Sequence, residues 1–337
     1  MPELETQPVE RLEWHKPAWR WFDNAASAGR LPQAMLLVGS GGLGKRMFAR
    51  QLVRHLLVDA ENIDPAKREN RLRQLEAGSH ADFRQLSPLE GKQLISVDQV
   101  RELTSKAMLT SRYGGSRVIL IEPAEAMTSS AANALLKCLE EPPLGTVFIL
   151  VSDQAARLPI TVRSRCQAIA FSPPSTVKAL EWLSQQGVPP NDAELALALV
   201  GNGPLKAAEL LSRGTVDEFR LLTAGLELLI AAKGNPVSVA GQILSDGRDA
   251  EKARLLCDWL SLLVAELIKS HLAVASKSGG IKLSPTMEAF SKAVALTDFF
   301  QYLERINAAK LSVAGNANPL LSIEAILVPW SRKLRVG

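Results

Sequence analysis

The chain has 337 residues, 47% hydrophobic and 22% charged, a globular balance at a length that favours more than one domain. Its 39 basic and 35 acidic side chains leave a net charge of +4 with no basic tail or half, and aromatics make up only 5%, so neither charge nor stacking surface argues by itself for a nucleic-acid partner. Three widely spaced cysteines (Cys138, Cys166 and Cys257) exclude a disulfide framework and a four-cysteine zinc module within this sequence.

Residues 1–5 are acidic and polar, unlike a signal peptide, and no run approaches the ~18 apolar residues of a membrane span. A soluble cytoplasmic protein is expected. Residues 34–38 form a short apolar run that ends at Gly39, and 46–58 read as a helix with Phe48, Leu52, Leu56 and Leu57 on one face. Further buried strands are expected at 117–121, 146–151 and 167–171. Runs apolar on both faces and separated by helices imply a parallel sheet covered on both sides. After Pro173-Pro174 the strand signal fades. Helices are expected at 175–186, 192–200, 204–212, 216–233, 236–245, 249–276, 284–295, 297–310 and 319–334, with Gly, Pro and Asn breaks between them. The stretch from 250 to 275 has apolar residues all round and reads as a buried helix. The organisation is an α/β domain over 1–172, a small helical domain over 173–213 and an all-helical domain over 214–337.

Gly39-Ser40-Gly41-Gly42-Leu43-Gly44-Lys45-Arg46 lies between a strand and a helix and matches GxxxxGK without the final Ser/Thr. Glycines let backbone N–H groups converge on phosphate, the helix N-terminus favours anions, and Lys45 reaches the outer phosphates. In working P-loop enzymes the Ser/Thr hydroxyl holds Mg²⁺. Arg46 offers no acceptor. The strand at 117–121 runs into Glu122-Pro123. Glu122 suits a hydrated metal, but Pro123 stands where many P-loop ATPases carry the Glu that activates water. Loss of a general base costs ~10²–10⁴ in rate. The two lesions together point to a site that holds ATP or ADP without efficient hydrolysis.

The stretch Ser129 to Pro143, SSAANALLKCLEEPP, is similar to the AANALLK-LEEPP signature of the bacterial clamp-loader AAA+ family. Arg163-Ser164-Arg165-Cys166 matches that family's SRC motif, and residues 30–37, 78–83 and 95–101 resemble its other segments, with Ala81 where Pro is usual. The resemblance implies an AAA+ P-loop domain, a helical lid and an all-helical C-terminal collar. The degenerate loop resembles the stator-type member rather than the motor. The implied partners are the motor (tau/gamma) and delta subunits and, through the assembled complex, the sliding clamp and primed DNA. That complex belongs to a DNA-directed DNA polymerase holoenzyme; no nucleotidyl transfer by this chain is expected.

Residue by residue, the resemblance makes Arg165 a trans arginine finger and Ser152 a γ-phosphate sensor. Lys206 becomes a second sensor, and Lys137 a DNA or subunit contact. Against these stand ordinary readings: a loop arginine, a strand-end serine, an exposed helix lysine and a solvated lysine. Gly39, Gly44, Lys45, Arg46 and Glu122 complete the nucleotide set. Family members often carry four zinc-binding cysteines where 59–78 here has none, so no zinc or other metal is expected. His80 reads as structural, Cys166 as a small buried hydrophobe, and the basic run 67–73 as a solvated helix face. Two alternatives stay open. One is an autonomous motor ATPase of the same fold, with Glu122 holding the metal. The other is an ordinary P-loop kinase, which leaves the LEEPP and SRC segments unexplained.

Overall fold

A computed structural model describes residues 11–59, 64–107, 116–273 and 280–332. The chain divides into two compact units, Met1–Pro173 and Pro174–Gly337.

The first unit is built on a five-stranded sheet: β1 (Ala34–Val38), β2 (Phe83–Leu86), β3 (Arg117–Ile121), β4 (Thr146–Ser152) and β5 (Gln167–Ala170), in the order β2-β3-β4-β1-β5. Every pairing is parallel. Its helices are α1 (Lys16–Ser27), α2 (Lys45–Leu57), α3 (Pro65–Glu76), α4 (Val97–Ala107), α5 (Ser129–Glu140) and α6 (Ile160–Arg163). Side chains alternate across each strand. Leu36, Ile119, Ile121, Phe148 and Leu150 join one cluster with Ala131, Leu135 and Leu139 of α5. Met35, Leu37, Val118, Leu120, Ile149 and Val151 join the other with Trp19 and Phe22 of α1 and Phe48 and Leu52 of α2. Two covered faces explain why β1, β3 and β4 are continuous apolar runs.

The two edge strands break that pattern. β5, expected as a buried strand, buries only Ile169 because it stands at one edge of the sheet. β2, at the other edge, exposes Arg84 and Gln85, so it has no apolar run to betray it. Helices α1 and α4 were likewise not among the expected elements. Just before β2, His80 and Asp82 are buried. The Asp82 N–H donates to His80 Nδ1 at 3.2 Å, and the Asp82 carboxylate lies 3.8 Å from the Arg117 guanidinium. The pair ties the start of β2 to the start of β3. Burial is the main cause that lowers the His80 pKa, which favours a neutral ring.

The second unit is helical throughout its described residues: α7 (Thr176–Gln185), α8 (Pro190–Val200), α9 (Pro204–Ser212), α10 (Thr215–Ile230), α11 (Pro236–Ile243), α12 (Ala250–His271), α13 (Pro285–Ala293), α14 (Leu296–Ala314) and α15 (Pro319–Ser331). Ser175 caps α7, its side chain accepting from the Lys178 N–H. One cluster joins α7, α8 and α9 through Ala179, Leu183, Leu197 and Ala207; a larger one runs through α10 to α15. α12 departs from its expectation. It ends at His271, and Glu251, Asp258 and Leu262 are exposed, so it is buried over most but not all of its circumference. The expected helical residues 274–276 and 333–334 lie outside the described residues, as do 1–5.

Tyr302 sits at the centre of the larger cluster, fully buried. Its hydroxyl donates to the Ile326 carbonyl at 2.6 Å and accepts from Trp330 Nε1 at 2.6 Å. One oxygen thus satisfies two buried groups of α15. Tyr302→Phe keeps the ring and leaves the Trp330 N–H without that acceptor, which costs about 1–3 kcal/mol. Urea unfolding is expected to show a lower midpoint for this variant at an unchanged slope.

Candidate functional site

The sheet register assembles the site. Val38, the last residue of β1, pairs with Ser152 of β4 and with Ala170 of β5. The residues that follow therefore come together beyond the C-terminal ends of the strands: Gly39 from β1, Asp153 from β4 and Phe171 from β5. Gly39 has φ +152°, and a Cβ there would stand 2.4 Å from the Phe171 carbonyl oxygen. Only glycine lets the loop leave the sheet at this point. Gly44 adopts φ +80° at the start of α2, where a Cβ would meet Leu12 at 2.8 Å and the His15 ring at 3.0 Å.

His15 packs beneath the loop and is buried. Its Nε2 donates to the Leu43 carbonyl at 2.7 Å, and Trp14 Nε1 donates to the same oxygen at 2.9 Å. Burial lowers the His15 pKa and keeps its ring neutral. Neither residue was singled out by the sequence, because the contact spans 28 residues and follows no motif.

Lys45 is buried. Its Nζ donates to the carbonyls of Gly39 (2.7 Å) and Ser40 (2.6 Å) and pairs with Asp153 Oδ1 at 2.6 Å. The Asp153 N–H in turn donates to Glu125 Oε1 at 2.9 Å. Ser152 is fully buried, and its Oγ accepts from the Gln154 N–H at 3.2 Å. Asp153 and Glu125 were not among the expected site residues.

Glu122 follows β3 and is buried. Gln85 Nε2 donates to its Oε1 at 2.8 Å, and the Arg50 guanidinium lies 3.9 Å from that oxygen. Its Oε2 has no hydrogen-bond partner. Burial raises the carboxyl pKa, and the cations Arg46 and Arg50 offset part of that rise. The acid expected to suit a metal thus lies beside the Arg50 guanidinium and a primary amide, with the Arg46 charge close enough to act on it. Among the described residues no group of His, Cys, Asp and Glu side chains is arranged to hold a metal ion.

The structure brings Gly39, Gly44, Lys45, Arg46, Glu122 and Ser152 to one edge of the sheet. Three other expected residues lie elsewhere. Lys137 is exposed on α5 beside the exposed Asn133, one turn away. Lys206 is exposed on α9, in the other unit. Arg165 stands between α6 and β5, at the edge where the strands begin, so the length of β5 separates it from the level of the phosphate loop. Four residues of strand span about 13 Å. Its Nε donates to Glu140 Oε1 at 2.6 Å, its Nη2 pairs with the same oxygen, and its Nη1 donates to the Thr161 carbonyl at 2.9 Å. Beside it Cys166 is buried, which pushes its thiol up to about 11, so it is no thiolate nucleophile near neutral pH.

The Glu122 shift has a stability consequence. The unfolded chain ionises this group near 4.5, while the fold resists ionisation. Its ionised form therefore subtracts stability at neutral pH; the penalty shrinks as pH falls through the raised folded-state value toward about 4.5 and is gone below it, where both states are protonated. Glu122→Gln keeps the acceptor for Gln85 and removes the charge. Its thermal midpoint is expected to exceed the parent's at pH 7, with the difference closing on acidification.

A family model described as DNA polymerase III, delta subunit, matches residues 14–175. The DNA polymerase III subunit delta' of Pseudomonas aeruginosa is 33% identical over 329 residues, covering 94% of this chain and 96% of that protein. The subunit of the same name from Escherichia coli is 32% identical over 263 residues, 78% and 77% of the two chains. A DNA polymerase III gamma subunit-related protein from Thermotoga maritima superposes with a TM-score of 0.50 at 16% identity, covering 93% of this chain and 99% of that one, a likeness of fold. Sequence identity at this level, across nearly the whole of both chains, makes this protein a member of the DNA polymerase III delta' subunit family.

Proposed function

We propose that the chain is the stator-type subunit of a cytoplasmic bacterial clamp loader. In this reading it does not turn over ATP itself. It joins the motor (tau/gamma) and delta subunits through its C-terminal helices, and Arg165 completes the ATP site of a neighbour during loading of the sliding clamp onto primed DNA. The site at Gly39–Arg46 holds ATP or ADP without efficient hydrolysis, and no zinc is involved.

The observation that carries this reading is the separation of Arg165 from the chain's own phosphate loop, at opposite edges of one parallel sheet. An arginine there serves a nucleotide bound by another subunit. Its partner Glu140 is exposed. Exposed ion pairs contribute only about 0–1 kcal/mol, so a polyphosphate can draw the guanidinium away at little cost. The own site supports the same reading from the other side. Arg50 lies beside Glu122, Arg46 adds fixed positive charge to the region where a motor places Mg²⁺, and Pro123 leaves no base. Lys137 is an exposed cation on the signature helix and in this reading contacts DNA phosphate or an adjoining subunit. In this reading Ser152 and Lys206 serve as the nucleotide sensors.

An arginine finger is worth ~10³–10⁵ in rate. In the reconstituted complex, Arg165→Ala is expected to lower clamp- and DNA-stimulated ATP turnover to the level of a complex with one silent motor site, while size-exclusion chromatography shows assembly intact. Unchanged turnover in a fully assembled mutant complex contradicts the proposal.

A further inference from the structure

An ammonium group has three N–H donors. Those of Lys45 have three acceptors within 2.7 Å: the Gly39 carbonyl, the Ser40 carbonyl and the Asp153 carboxylate. The first two belong to the loop itself. The third is an anion delivered by the neighbouring strand. The lysine side chain is 2% exposed and the aspartate 50%, so the carboxylate caps the ammonium from the solvent side.

This placement is built into the backbone. Pairing of Val38 with Ser152 makes Gly39 and Asp153 the next residues on adjacent strands. The bond from the Asp153 N–H to Glu125 and the Gln154 N–H bond to Ser152 Oγ hold the turn that aims the carboxylate at the loop. An incoming phosphate meets an ammonium with no free donor and a negative charge beside it. In a P-loop the lysine is the point charge that recruits the outer phosphates, and here that charge is already neutralised.

We propose that Asp153 is a built-in anion that occupies the phosphate position of the loop, so that a nucleoside diphosphate or inorganic diphosphate binds there only by displacing it. The inference rests on reading the loop as a nucleotide site that does not turn over. It concerns affinity rather than rate, and it involves neither Arg165 nor a partner subunit.

Calorimetric titration of the full chain with ADP, and separately with inorganic pyrophosphate, tests it. Asp153→Asn keeps the shape and removes the charge. It is expected to bind both probes about fivefold more tightly than the parent, the upper end of what a partly exposed ion pair is worth. Lys45→Ala in the Asp153→Asn background is expected to erase the gain. If Asp153→Asn does not fold, as judged by circular dichroism, Asp153→Ser carries the same comparison. Equal affinity in parent and variant overturns the proposal, as does absence of binding by every folded form. Loss of the stator reading in the Arg165→Ala experiment would leave the affinity comparison untouched, so the two ideas fail separately.

Discussion

The register of β1 between β4 and β5 is the constraint on which the site depends. Because Val38 pairs with Ser152 on one side and Ala170 on the other, three chain segments leave the sheet at the same height. That arrangement presses Gly39 against Phe171 and sets Asp153 over Lys45. A slip of one residue would turn every apolar side chain of β1 to the opposite face. Both faces are packed, by α1 and α2 on one side and α5 on the other, so the register has little freedom. The same parallel order puts Arg165 at the far edge. The geometry that builds the loop also keeps the arginine away from it.

Charge is balanced internally at both edges. At the C-terminal edge Lys45 rests on Asp153, while Arg50 lies beside Glu122 and the Arg46 charge also acts on it. At the N-terminal edge Arg165 rests on Glu140. These pairs differ in burial, and burial decides what they do. Lys45 is enclosed, and an enclosed ammonium without a counter-charge would be costly. Arg165 is half-buried against the exposed Glu140, so water reaches the pair and leaves it weak and exchangeable. The pair on the enclosed lysine sets a state, and the more open pair leaves a side chain ready to move to a better anion.

Much of the first unit is readable in the sequence because its central strands are buried on both faces. The apolar runs at 34–38, 117–121 and 146–151 mark β1, β3 and β4 to within a residue. β2 escapes that reading because an edge strand carrying Arg84 and Gln85 has no apolar run. α1 had local signals, Pro17 in its first turn and Trp19 and Phe22 on one face, but no motif drew attention to it. The second unit's helices are legible from their breaks, while the ends of α10, α12 and α14 differ by a few residues because helix ends depend on packing as well as propensity. In the site, Lys45, Arg46 and Glu122 are found by motif. His15, Asp153 and Glu125 are found only in the fold, since strand register and an N-terminal segment bring them in. Glu140 lay in view within the signature stretch, but its partner Arg165 is 25 residues away.

The central claim is that this chain's own loop does not run a hydrolytic cycle. The most direct test is Mg²⁺-dependent ATP turnover by the purified full chain, measured beside Lys45→Ala. No turnover above the variant is the result expected from guanidinium charge acting on Glu122 and a proline in place of a base. Turnover at motor-like rates that disappears in Lys45→Ala would contradict the account and make the chain an ATPase in its own right.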